Sequence, residues 1–580
     1  MTAFDIAIRG GTVVDGSGAK PFEADVGIVG SRIAAVGRLD GQARREIDAR
    51  GLAVTPGFVD IHTHYDGQAT WENRIVPSSA HGVTTVVMGN CGVGFAPCRP
   101  SDREMLIRLM EGVEDIPHPV LVEGLPWTWE TYPQYMDFLA TRSYDMDICG
   151  YVPHAPVRVY VMGQRGADRE AATPEDLRIM SGIVREAVAA GAMGFSTSRT
   201  FFHRSSDGNS TPSFEAAEGE LMALAGALRE ANAGAMQLIT DFDDPDAAFD
   251  LFARLVERSG RPLSFSLLEG TYGPMTPRWR HVLDRAARAW GDGVPIKAQV
   301  LGRAIGIMLG HELTLNTFYT CPTYVALARL PFEQKVRELR RPEMRSRILA
   351  EAADPDPAIV LGRLAREFEN MFVLGDPPDY EQPLDRTIAA RARVAGVAPE
   401  ALAYDLMLEN EGRGTLYVTM CNYQSGSLEA SREMMQHAGA VLGLGDGGAH
   451  CGTICDGSYP TFMLTHWVRD RKRGPRLPLP QVVKWLSHDT ARTVGLDDRG
   501  LIAPGFKADV NVLDPAGLQL HAPQVVADLP RGGRRLVQRA EGYRATLVSG
   551  EVVYSGGEPT GALPGRLVRG AQHAPAQAAR

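Results

Sequence analysis

The chain is poor in the features that mark several protein classes. Its seven cysteines include no CxxC pair, which excludes a disulfide framework or a zinc ribbon and suits a reducing compartment. No apolar run approaches the ~20 residues needed to span a bilayer, so no membrane association is expected. The start of the chain carries Asp5 and lacks the basic start, apolar stretch and cleavage site of a signal peptide. Basic residues number 60 against 70 acidic, a formal charge of -10, and they form no stripe that would track a phosphate backbone, so nucleic acid is not an expected partner. These absences lead to the expectation of a cytoplasmic protein.

What is present reads as an ordinary globular protein. Apolar residues make up 44% and charged residues 22%, the usual soluble balance. A chain of 580 residues exceeds one compact unit, so we expect a barrel of roughly 250 residues or more, with insertions and a smaller companion domain. Short strands separated by glycine turns fill Phe4 to Arg9, Thr12 to Asp15, Ala24 to Val29 and Arg32 to Val36. The same texture returns over Gly500 to Asp514 and Ala545 to Tyr554, so residues 1–55 and 499–556 are expected to complete one small sheet domain. After Gly556, the Gly, Pro, Ala and Gln content suggests that 557–580 is a loosely held, flexible tail.

Between the ends, residues 56–498 alternate buried-looking strands with amphipathic helices, the pattern of βα units around a parallel sheet. Eight strands are expected: Gly57 to Ile61, Val83 to Met88, Met146 to Val152, Met193 to Thr197, Ala235 to Thr240, Leu263 to Leu268, Val294 to Val300 and Ala440 to Leu444. Thr173, Pro174, Glu175 and Asp176 spell a helix start and Gly191 a helix end. Two stretches, near 92–144 and 303–436, are too long for simple connections and read as insertions that build a pocket or lid.

The strongest chemical signal is the run from Thr55 to Asp66, an apolar strand ending in His62 and His64. Residues i and i+2 of a strand project to one side, so at the carboxyl end of the first strand both imidazoles can hold one divalent metal. A bare HxH is weak, and the strand before it gives it weight. The run from Val441 to His450 delivers Asp446 into a glycine-rich turn; alone it would pass for a turn former, but beside the HxH strand it can touch a metal and take a proton from water. His450, at the end of that turn, is a candidate substrate contact. Cys91, after the second strand, is a candidate ligand as thiolate, against the plainer reading of a small buried apolar residue. The glycines around it do not match a dinucleotide fingerprint.

With Pro56 to His64, Asn90, Cys91, Gly443 to Asp446, Glu123 to Tyr135, Gly191 to Thr197 and Ser487 to Leu496 in view, the chain resembles the amidohydrolase superfamily, and within it the N-acyl-D-amino-acid deacylase group. The resemblance implies a zinc-dependent (β/α)8 barrel with one or two divalent ions, flanked by a small β-sandwich made from both chain ends. It also implies that Cys91 stands where related hydrolases place a modified lysine. The group's metal-binding histidines after strands five and six are missing here, those stretches carrying Asp241 and Glu269, and the Asp and Tyr after strand seven give way to Lys297, Ala298 and Gln299. Asp241 is the candidate replacement ligand, Glu269 a weaker one, and oxygen donors would shift metal preference.

The expected activity is metal-dependent hydrolysis of the amide bond of a small N-acylated substrate. Zinc would be held by His62 and His64 with Cys91, Asp241 or both, Asp446 would act as metal contact and proton carrier, and Arg199 or Arg303 would anchor a substrate carboxylate. His154 and Arg158, and His203, are further polar candidates near the pocket mouth, whereas His81 and His311 read as structural. Two alternatives stand beside this: a cyclic-amide hydrolase of the dihydroorotase or hydantoinase kind, and a metal-free barrel acting as a binding or scaffold protein. Assembly as a homo-oligomer is left open.

Overall fold

The structure, a computed structural model, describes residues 4–270, 278–351 and 359–576. It places a strand at each of the eight apolar runs: β1 (Phe58–Asp60), β2 (Val83–Met88), β3 (Asp147–Gly150, carried on by Val152–Pro153), β4 (Gly194–Arg199), β5 (Ala235–Thr240), β6 (Leu263–Ser266), β7 (Ile296–Val300) and β8 (Ala440–Leu442). β1 pairs in parallel with β2 and β2 with β3; the extension of β3 pairs with β4, and parallel pairing continues in order to β8. Beyond β8, Asp446 N donates to His62 O at 3.0 Å and His64 N to Gly447 O at 2.8 Å. Every residue of β2 and β6 is buried, as in strands covered on both faces. Gly194 (φ +128°) is required at the start of β4, because a Cβ there would stand 1.8 Å from Ala235 O.

Helices α1 (Arg103–Glu114), α2 (Pro174–Ala189), α3 (Glu218–Ala231), α4 (Pro245–Ser259) and α5 (Trp279–Gly291) follow β2, β3, β4, β5 and β6. The start of α2 forms as its residues suggest. Thr173 Oγ1 accepts from Asp176 N at 3.2 Å, and Asp176 Oδ2 accepts from Thr173 N at 2.9 Å, a reciprocal cap. Among the described residues no helix is long and apolar enough to cross a membrane.

Both chain ends meet in one nine-stranded sheet. Phe4–Val13 is its N-terminal spine, and Ala53–Pro56 pairs antiparallel with Val510–Leu513, bringing in Tyr543–Val548, Glu551–Ser555 and Glu558–Pro559. Ile8, Val26, Val510 and Leu547 are in its apolar core. Residues 519–541 leave this sheet as two short strand pairs that lean on the site end of the molecule, where Leu536 N donates to Cys451 O at 2.7 Å. The second insertion builds an antiparallel sheet of Ile305–Leu309, Leu416–Cys421 and Met371–Phe372 with its own apolar cluster around Phe318, Leu339, Tyr404 and Val418.

The expected loose tail is corrected by the structure over residues 557–576. Gly565 N donates to Tyr144 O at 2.8 Å, and Val568 N to Ile148 O at 2.8 Å. Asp147 Oδ1 accepts from Arg566 N at 3.0 Å. The low apolar content misled because this segment is held through its backbone, to which composition is blind.

Candidate metal centre and active site

His62 and His64 follow β1, and their rings are oriented from behind. Gln299, near the carboxyl end of β7, donates its Nε2 to Ser264 Oγ at 2.9 Å and so presents its oxygen, which stands 2.6 Å from His62 Nδ1. His64 Nδ1 lies 3.2 Å from Glu114 Oε1, at the last residue of α1. Each ring turns Nε2 toward one spot; His62 has the usual acceptor on its other nitrogen, whereas the Glu114 carboxylate stands beside His64 Nδ1 as an ion-pair contact without an aligned hydrogen bond. Asp60 Oδ1 accepts from His62 N at 3.1 Å and fixes the turn between strand and histidines.

Cys91 enters from the turn after β2. It adopts a left-handed backbone (φ 57°), its N donates to Gln237 Oε1 at 2.9 Å, and Asn90 Nδ2 donates to Val87 O at 2.9 Å. Gly92 (φ +69°) is needed beside it, since a Cβ would stand 2.8 Å from Thr197 Cα. Asp446, also left-handed (φ 46°), completes the group from the turn after β8.

The donor atoms converge. Cys91 Sγ is 3.3 Å from His62 Nε2; Asp446 Oδ1 is 3.4 Å from His62 Nε2 and 3.5 Å from His64 Nε2. The ligand atoms of His62, His64 and Cys91 all lie within 4.8 Å of one another. Ligands bound to zinc tetrahedrally at roughly 2.0–2.3 Å stand about 3.3–3.7 Å apart, so the spacing and the nitrogen, sulfur and oxygen donor set fit a divalent ion of that kind.

The electrostatics agree. Burial pushes the His62 imidazole down to about 4, keeping it neutral, and pushes the Cys91 thiol up to about 11, so that a cation is needed to draw out the thiolate. Burial works against ionised Asp446, but His64, His62 and His450 outweigh it and hold this carboxylate well below its ordinary range. Burial raises Glu114 to about 7, with His64 opposing.

Above this cluster opens a cavity of about 520 Å³, within the range of small-molecule sites. Both insertions wall it: Glu111, Glu114 and Ile116 come from the first, Ile305 and Met420 from the second. His450 lies on the wall with Nε2 3.8 Å from Glu114 Oε2. His203 and Arg204, on the turn after β4, also face it, and Ser198 Oγ is 2.9 Å from His203 Nδ1.

Six candidates stand apart from the donor cluster. Asp241 is on the cavity wall, but its oxygens accept from Thr200 Oγ1 and, at 2.9 Å, from Phe201 N, so it braces the turn after β4 and does not join the donor cluster. Asp244, three residues on, caps α4. Arg199 donates to Ala216 O outside the cavity wall. Arg303 is buried in an ion pair with Asp456 and donates to Cys455 O at 2.9 Å, so its charge is already neutralised. His154 is locked between Thr197 Oγ1 at 2.8 Å and Glu220 Oε1 at 2.7 Å, with Arg158 pairing with the same carboxylate. Glu269 turns to the second insertion, its Oε2 accepting from Gln424 N at 3.4 Å and its N donating to Asn422 Oδ1 at 2.9 Å. Sequence reasoning missed Glu114, Arg204 and the orienting role of Gln299.

Comparison with known proteins places this arrangement. A D-aminoacylase of Alcaligenes xylosoxydans xylosoxydans is 37% identical over 195 residues, 33% of this chain and 37% of that enzyme; the chain thus matches little more than a third of that relative's length. An uncharacterized protein of Mycobacterium tuberculosis is 25% identical over 587 residues, covering 96% of this chain and 92% of the other. Among solved structures, a D-aminoacylase studied for its binuclear metal centre superposes with a TM-score of 0.65 at 24% identity, covering 98% of this chain and all of that one. The sequence model described as amidohydrolase family matches residues 45–554, most of the length, and the chain belongs to the amidohydrolase family.

Proposed function

We propose that the protein is a metal-dependent hydrolase that cleaves the amide bond of N-acylated amino acids, in the manner of an N-acyl-D-amino-acid deacylase. The observation that carries this reading is the convergence of His62, His64, Cys91 and Asp446 within 3.3–3.5 Å contacts at the base of a substrate-sized cavity. These four residues would hold one divalent ion, zinc by donor chemistry, which when bound polarises a carbonyl and acidifies a water. The absence of Asp241 from the cluster favours a single ion.

The chain's own groups supply the rest. Gln299 and Glu114 keep both imidazoles aimed. Asp446, ionised at neutral pH, accepts the proton of the attacking water on its carboxylate and returns it to the leaving nitrogen. Arg204 replaces Arg199 and Arg303 as the carboxylate anchor. It faces the cavity and donates Nη1 to Gly208 O at 2.9 Å, which leaves the rest of the guanidinium fork to meet a carboxylate.

The same reading takes residues 56–498 as a (β/α)8 barrel, with 1–55 and 499–556 as a small β-sandwich beside it. The bonds linking the turns after β1 and β8, and the sheet shared by the two chain ends, support it. The test is metal analysis of purified protein with a screen of N-acyl-D- and N-acyl-L-amino acids. About one equivalent of metal and release of free amino acid are expected; a metal-replete protein that releases none overturns the proposal.

A further inference from the structure

The cavity has two chemically different sides. Its metal donors come from the turns after β1, β2 and β8. The elements at β5 and β6, where the deacylase resemblance would put two more imidazoles, contribute mainly apolar side chains, Ile239, Phe242, Leu267 and Leu268, with Thr240 and Ser266 between them, and the second insertion adds Ile305, Leu361 and Met420 to the wall. The one carboxylate nearby, Asp241, has both oxygens engaged by Thr200 and Phe201. Among the described residues Arg204, on the turn after β4, is the one guanidinium or ammonium group on the wall.

Resting on the deacylase reading, we infer that this apolar wall is an acyl subsite and that the protein acts on amino acids carrying a medium-length aliphatic N-acyl group. The amine half of such a substrate bears the carboxylate and is drawn to Arg204, which leaves the acyl half for the side of β5, β6 and the second insertion. A polar arm buried there would meet only the hydroxyls of Thr240, Ser266 and Thr314 among mostly apolar side chains and would be penalised for the water it loses, whereas each buried methylene gains about 0.8 kcal/mol, roughly fourfold in affinity. An acetyl group would leave most of the 520 Å³ unfilled.

The test separates binding from turnover. On the Asp446→Asn protein, with its zinc content verified by elemental analysis because one proposed ligand is altered, calorimetry gives Kd for one amino acid carrying acetyl, butanoyl, hexanoyl and octanoyl groups, and for a second series with acetyl fixed and the side chain growing from alanine to leucine to phenylalanine. Affinity should rise about fourfold per methylene along the first series and more weakly along the second. Leu268→Gln and Met420→Trp, checked for folding by their Tm, should each cut the gain to under about 1.5-fold per methylene. A flat acyl series, a slope carried by the side-chain series, or an unaltered slope in both variants overturns the inference. Wild-type protein that binds the acyl series with this slope but hydrolyses no member would overturn the deacylase reading and leave the subsite standing; turnover with a flat series would do the reverse.

Discussion

The carboxylate of Glu114 lies 3.2 Å from Nδ1 of His64, so the first insertion contributes directly to the metal corner. If Glu114 aims that ring, Glu114→Gln should weaken zinc binding about 10- to 100-fold, the usual scale for losing a partner behind a ligand. Gln299→Leu should act alike through His62. Chelator competition reads both, and an unchanged affinity would reduce Glu114 to a wall residue.

Replacing both imidazoles, His62→Ala with His64→Ala, should remove the metal without unfolding the chain, since the turn around them is held by main-chain bonds to Gly447 and Asp446. Elemental analysis and circular dichroism check this. A wild type that stays substoichiometric after metal supplementation would count against the centre.

Asp446→Asn should lower kcat by about 10² or more, the scale for a lost positioned base, while the protein keeps its fold. Near-normal turnover would take the proton-carrying role away from this residue.

For Asp241 the structure reverses the expectation drawn from sequence. Asp241→Ala should leave metal content unchanged and cost about 1–3 kcal/mol of stability, because Thr200 and Phe201 lose their acceptor. Metal loss in this variant would restore Asp241 to the ligand set.

Acid stability should depend on Glu381. Burial raises this carboxyl, but His466, Arg471 and the backbone of Leu428 outweigh it and bring it from 4.5 down to about 2. A depressed value contributes stability above the unfolded pKa, lost as pH falls from about 4.5 toward 2. Glu381→Gln should flatten denaturation midpoints over that window and cost about 1–3 kcal/mol near neutrality, since buried Arg471 loses its principal carboxylate and keeps only Glu429. Parallel wild-type and variant curves would refute this.

The strands were legible because a buried parallel strand is a short apolar run, and β2 and β6 have no exposed residue. His62, His64 and Asp446 could be singled out because each ends such a run, where strand geometry dictates direction. Glu114 could not: it ends an insertion helix, and nothing local distinguishes it from a solvated glutamate. Arg303 and His154 looked available because their neutralising partners, Asp456 and Glu220, are distant in sequence. Asp241 resembled a ligand because its position was right; only the turn of Thr200 and Phe201 shows which way its oxygens face.

The pairing of Ala53–Pro56 with Val510–Leu513 also governs how the protein can be made. At roughly 5–20 residues per second of synthesis, the N-terminal strands leave the ribosome on the order of half a minute to a minute and a half before their C-terminal partners exist. For that interval they present an open edge and an unburied apolar face, the surfaces most prone to join another chain. Yield during expression should therefore respond to chaperone supply and growth temperature more than the finished fold would suggest.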